Sequence, residues 1–282
     1  MAVMSYDAAG DCPLDYFPCR YGRSQQVFRG PRRDLGAPFA CFLGGTETYG
    51  KFVREPFPAL VEAATGLTAL NLGCLQAGPD AYLNDPGTLD LARQAAITVV
   101  QITGALNLSN RLYTVHPRRN DRFLRASPML QALFRDVDFM EFSFTRHLFQ
   151  ALSAGSERQL RAVVDELQTA WVARMELLLG RLAGPVLLLW MGSRAPQAED
   201  APPDLAQDPP LIHQGMIACL RPRVSRYVQV VASAKATAMA GAGDSGGKSF
   251  APLQEPAALA LPGPALHAEV AAALVPVFAQ LR

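Results

Sequence analysis

The chain has 282 residues, half of them hydrophobic and 18% charged, with a net charge of +1. That composition supports a sizeable core and excludes a disordered chain, and it creates no global field that demands nucleic acid or a membrane surface. Five cysteines (Cys12, Cys19, Cys41, Cys74, Cys219) without a Cys-x-x-Cys spacing exclude a zinc ribbon and argue against a disulfide framework.

Residues 1–35 are rich in Pro, Gly and Arg, with Tyr6, Tyr16, Phe17, Tyr21 and Phe28 scattered among them. They read as an irregular arm held to the domain by its rings. No basic segment followed by an apolar core opens the chain, so no signal peptide is expected. The longest apolar runs, such as 186–191, are too short for a membrane span, and the expected location is cytoplasmic.

Beyond the arm, short apolar runs alternate with helical patterns. Strands are expected at 38–43, 67–72, 97–103, 185–191 and 227–232. Helices are expected at 56–65, 86–95, 120–134, 138–152, 157–182, 209–225 and 265–281. The clearest is 157–182, where Leu160, Val163, Val164, Leu167, Ala170, Trp171 and Met175 recur at three- and four-residue steps. Ser156 can cap its start, and Gly184-Pro185 stops the pattern. Continuous apolar strands between helices mark a parallel sheet covered on both faces. The expected fold is therefore α/β: a three-layer α/β/α sandwich around a five-stranded parallel, flavodoxin-like sheet. One domain should cover 36–282, with a helical insertion at about 111–182. Ligands in such a fold bind beyond the carboxyl ends of the strands.

Those ends carry the informative strings. After the first strand comes Phe42-Leu43-Gly44-Gly45-Thr46-Glu47-Thr48-Tyr49-Gly50, after the second Asn71-Leu72-Gly73-Cys74, and after the third Gly104-Ala105-Leu106-Asn107. Leu261-Pro262-Gly263-Pro264-Ala265-Leu266-His267 opens the last helix. In this order the strings resemble the four blocks of the SGNH (GDSL-type) hydrolase superfamily. The first block's Gly-Asp-Ser-x-Thr-x-Gly has Gly44, Thr48 and Gly50 in place, with Gly45 for the Asp and Thr46 for the Ser. The resemblance implies Thr46 as nucleophile, His267 as base, and an oxyanion hole from the Gly73 N–H and Asn107, with Asn110 competing for the last role. Pro264 stands where the family has the Asp that orients the base. Glu47 either faces solvent or replaces the missing carboxylate, and His267 could instead cap a helix. The chain also resembles a bacterial family of uncharacterised proteins that carries Phe-Leu-Gly-Gly-Thr-Glu-Thr-Tyr-Gly and His-Pro-Arg-Arg-Asn-Asp-Arg-Phe, which implies no activity.

Arg111, His116, Arg118, Arg119 and Arg122, with Arg125 beyond, follow the third strand. They read either as a clamp for sulfate, phosphate or an acidic sugar, or as a solvated loop. Asp136, Asp138, Glu141 and His147 match no metal-binding spacing, and no metal or cofactor is expected. Residues 242–249 nearly spell a phosphate-binding P-loop, but Pro252 blocks the helix that such a loop needs. Three functions stay open. The first is an SGNH-like ester hydrolase or acyl-transferring enzyme, with a carbohydrate as one candidate substrate. The second is a catalytically silent SGNH-like module that binds a glycan or a small anionic ligand, or assembles with a protein partner. The third is an Arg-clamped sulfate or phosphate transferase.

Overall fold

The computed structural model describes residues 14–205, 208–242 and 246–281. In chain order its elements begin with β1 (Phe39–Leu43), α1 (Thr46–Tyr49), α2 (Phe57–Thr65), β2 (Thr68–Asn71), α3 (Pro79–Leu83), α4 (Pro86–Gln94) and β3 (Ile97–Gln101). There follow β4 (Tyr113–Val115), β5 (Phe123–Ala126), α5 (Pro128–Leu133), α6 (Thr145–Leu152), α7 (Glu157–Leu179) and β6 (Val186–Gly192). The chain closes with α8 (Gln214–Leu220), β7 (Arg226–Val231), α9 (Ala234–Gly241), α10 (Glu255–Leu259) and α11 (Pro264–Leu281).

The main sheet runs β2-β1-β3-β6-β7, all parallel, which is the flavodoxin-like order. Side chains alternate between its two faces, as the pleat requires. Cys41, Leu43, Val100, Leu188 and Trp190 enter one apolar cluster, with α3, α4, α7 and α8. Ala40, Phe42, Val99, Leu187 and Met191 enter the other, with α2, α9 and α11. This is a three-layer α/β/α sandwich. α11 is long and apolar enough to cross a membrane by length and composition, with a mean hydropathy of 1.3. Its Val270, Leu274 and Phe278 are buried in the second cluster, as in the core helix of a globular domain.

The strands form where expected, and three of the expected helices change. Residues 120–134 do not make one helix: β5 pairs antiparallel with β4, and α5 starts only at Pro128, capped by Ser127. The segment between β3 and β6 therefore opens with a hairpin. Residues 138–152 divide into a short 3-10 turn and α6, because Ser143 and Phe144 extend along β5. The helix expected at 209–225 starts late, at Gln214, since Leu211 holds a left-handed φ of 64°. Cys12, Tyr6, the rest of the arm before Leu14 and positions 243–245 of the P-loop-like string lie outside the described residues.

The arm from Leu14 to Arg33 is bonded to α4 through Arg23 and Asp90 and to α2 through Arg33, beside β2, the edge strand. Arg33 pairs with Glu62 of α2 at 3.1 Å, and Glu62 accepts the Ala69 N–H at 2.9 Å. A lateral amide that would otherwise invite another strand is thereby covered.

Candidate functional site

β1 and β3 are neighbours at the point where the strand order reverses, the position at which this architecture opens a crevice. β1 ends there in Gly44-Gly45 and turns into α1. A side chain at position 44 would collide with Thr48 and with Gln101, so the turn needs its glycine. Gln101, the last residue of β3 and only 3% exposed, fills the crevice. Its Oε1 accepts from the Gly45 N–H (3.0 Å), the Thr48 N–H (3.2 Å) and the Thr48 hydroxyl (2.5 Å). Its Nε2 donates to Glu47 Oε2 at 2.9 Å. Tyr82, from α3, accepts the Gly44 N–H at 2.8 Å. The Gly44, Gly45 and Thr48 N–H groups of the elbow are thus engaged with the protein's own side chains.

Thr46, Gly73 and Asn107 do converge at this edge. Thr46 Oγ1 accepts the Gln76 N–H at 2.9 Å, and Asn107 Nδ2 donates to the Gln76 carbonyl at 3.0 Å. Gly73 packs on the Thr48–Tyr49 backbone, where a Cβ would meet main-chain atoms. The groups expected to serve as oxyanion donors nevertheless have partners within the protein. The Gly73 N–H bonds Asn71 Oδ1 at 3.0 Å, and Asn107 Oδ1 accepts the Thr145 hydroxyl at 2.7 Å. Asn110 closes a local turn, its Oδ1 accepting from Leu112 and Tyr113 and its Nδ2 donating to the Leu108 carbonyl.

His267 corrects the expectation of a base. It sits in the first turn of α11, 1% exposed, stacked on Phe57, with its Nδ1 accepting the Phe57 N–H at 3.1 Å. Burial first, then the charges of Arg29 and Lys248, push its pKa down to about 3. Among the described residues no hydrogen bond, ion pair or ring contact joins it to Thr46 or Glu47. The packing of α11 on α2 turns this imidazole into the core.

The arginine cluster also differs from a clamp. Arg111 is held by Glu166 of α7, which accepts both its backbone N–H (2.8 Å) and its Nε–H (2.6 Å). Arg122 lies over the Phe144 ring at 4.7 Å, and Arg119 faces Asp121 at 3.8 Å. His116 accepts the Arg118 and Arg119 N–H groups on Nδ1 and so closes a turn. Arg118 is exposed. Asn120, fully buried, accepts the Gly78 N–H at 3.0 Å and docks this turn on the loop after β2.

A second carboxylate reaches the site from the loop after β6. Burial, and next the charge of Glu47, push the Asp208 carboxyl up to about 7, with Arg146 of α6 opposing. Sequence reasoning missed both Gln101 and Asp208. A lone amide at the end of the apolar run Ile97–Val100 is a signal for the first; Asp208 in its Pro-rich loop carries none. A surface depression of about 410 Å³, lined by Arg93, Glu176, Arg181 and neighbours, lies before β6 at the opposite edge of the sheet and holds none of these groups.

Fold and site together define a parallel α/β sandwich with a glycine elbow and a polar crevice at its carboxyl edge. The family model described as Domain of unknown function (DUF6473) matches residues 4–282, and the chain belongs to that family. No curated protein matches the sequence. Among solved structures the chain is similar to BT4096, a gut microbial diltiazem-metabolizing enzyme, at 10% identity and a TM-score of 0.40. The match covers 85% of this chain and 46% of that one.

Proposed function

We propose that the chain is an SGNH-like module that binds a hydroxylated, glycan-type ligand at the carboxyl edge of β1 and β3 without using Thr46 as a nucleophile. The observation that carries this reading is the Gln101 carboxamide, which takes the Gly45 and Thr48 N–H groups and the Thr48 hydroxyl and so fills the crevice on both sides of Thr46 with the protein's own side chain. A threonine hydroxyl also needs a base within hydrogen-bond reach, and His267 is bonded elsewhere. Acceptors remain for sugar hydroxyls: among the described residues Glu47 Oε1 and the Asp208 carboxylate have no hydrogen-bond donor. In calorimetric titration, neutral oligosaccharides should release heat that is lost in Glu47→Gln. Hydrolysis of p-nitrophenyl acetate or acetylated xylan should stay at background in wild type. Ester turnover that disappears in Thr46→Ala overturns this reading and restores the hydrolase.

A second reading rests on Asp208. A carboxyl that titrates near 7 beside another carboxylate suits acid–base hydrolysis of a glycosidic bond. It requires glycan cleavage that Asp208→Asn abolishes and Thr46→Ala leaves intact.

A further inference from the structure

Behind the elbow, between the arm, α2 and the end of β2, lies a cavity of about 290 Å³. Leu14, Phe17, Tyr21, Pro56 and Ala59 form apolar walls, and Arg29, Arg33, Arg54, Asp15, Glu62 and Asn71 bring polar groups to it. Two of the lining charges neutralise each other, since Arg33 is paired with Glu62. Arg29 is the unusual one.

Buried charges in proteins are normally paired. Arg29 is 8% exposed, and among the described residues no carboxylate meets its guanidinium. Three donor contacts go to main-chain carbonyls: Nη1 to Tyr49 and Gly50, Nη2 to Arg54. An arginine has five N–H donors, so part of the fork remains for another acceptor. Tyr16 lies under it at 5.2 Å, which attracts the cation but supplies no negative charge. Burial pushes its pKa down, as expected for a cation without a counter-ion. Arg54, on the same wall, is exposed, and among the described residues no acid pairs with it.

We infer that this cavity binds a small ligand with an anionic head, a carboxylate or phosphate monoester, on an aromatic or short apolar body. Arg29 and Arg54 take the head through parallel N–H···O bonds, and Phe17 and Tyr21 cover the body. The volume admits a ring of benzene size with its substituent, at the lower end of small-molecule sites. The site is separate from the crevice at Gln101, although Asn71 and Arg29 touch the backbone of α1 and connect the two.

The test is a titration of the full-length protein with phenyl phosphate and with benzoate, followed by isothermal calorimetry and by thermal melting, with benzyl alcohol as the uncharged control. Phenyl phosphate or benzoate should bind saturably and raise the melting temperature; benzyl alcohol should do neither. Binding should weaken as salt rises. Arg54→Gln, an exposed change that leaves the carbonyl contacts of Arg29 in place, should weaken it at least tenfold, whereas Glu47→Gln should leave it unchanged. Inorganic phosphate separates the two parts of the ligand, and should bind more weakly than phenyl phosphate. The inference is overturned if wild type binds neither aromatic anion, if benzyl alcohol binds equally well, or if Arg54→Gln binds as wild type does. Because Glu47→Gln tests the crevice and Arg54→Gln the cavity, failure of one proposal is distinguishable from failure of the other.

Discussion

His267 and Asp208 bind protons with opposite consequences for folding. His267 titrates near 6.5 in the unfolded chain and near 3 in the fold. Between those values the unfolded state holds the extra proton, so its contribution is complete above 6.5 and is lost as pH falls. Asp208 titrates near 3.8 unfolded and about 7 folded. Here the folded state holds the extra proton, and the contribution, complete below 3.8, is lost as pH rises towards 7. Each slope is about 1.4 kcal/mol per pH unit, and they oppose each other from pH 4 to 6.5. We expect Asp208→Asn to uncover stability that climbs with pH across this window, and His267→Gln to uncover stability that declines. Urea unfolding at half-unit pH steps checks both, and parallel profiles for the two variants would refute the assignment. Gln101 makes a simpler case. Gln101→Leu strands two buried N–H groups and should cost about 2–4 kcal/mol, read from the urea midpoint.

Elements differ in how openly the sequence announces them. Strands β1, β3 and β6 were legible because each is buried on both faces, so composition alone marks it, whereas β7 shows itself by alternation, with Val228 and Val230 buried between more exposed neighbours. α7 was legible from its period and from Ser156, whose side chain and Gln159 form a capping box. Ser156→Ala should lower stability by about 1 kcal/mol, with the loss visible in thermal melts. The β4–β5 hairpin was illegible because its turn is made by His116 Nδ1 and Asn120, groups that bond the backbone from positions with no standard turn signature. The site divides in the same way. Glycine and asparagine strings at strand ends revealed the elbow and the loops around it. What those loops bond to is decided largely by tertiary contacts: Thr145 on Asn107, Glu166 on Arg111. His267 opens the last helix, where the resemblance to SGNH hydrolases led us to expect a base, yet the packing of α11 against α2, which no local pattern encodes, places its ring on Phe57. Gly73→Ala tests how tightly the elbow is packed. The added methyl meets main-chain atoms of Thr48 and Tyr49, which cannot rotate away, so we expect about 1–3 kcal/mol of destabilisation.

At the scale of the whole molecule the sheet is shared between two apolar clusters, and each strand contributes alternate residues to both. Neither face can lose its helices without exposing strands that the other face needs. The α2–α11 face is held by aromatic contacts: Phe42 stacks on Phe278 with centroids 6.0 Å apart and meets Phe57 edge-on at 5.7 Å. Lys248 reinforces the approach to α11 by donating to the carbonyls of Ala240, Ala258 and Leu261. Both tryptophans lie in the opposite cluster, Trp171 bonding the Thr103 carbonyl and Trp190 the Arg194 carbonyl. This separation makes cooperativity measurable with a single substitution. Phe278 is fully buried, so Phe278→Ala removes a ring and leaves a cavity, at a cost of about 3–5 kcal/mol. If the two faces form one unit, tryptophan fluorescence and far-ultraviolet circular dichroism should shift together to the same lower urea midpoint, although neither tryptophan belongs to the cluster that contains position 278. If the helices of the α2–α11 face can loosen by themselves, the circular dichroism will change first and the fluorescence will keep its wild-type midpoint. That outcome would show two independently stable faces and remove the argument from the shared strands.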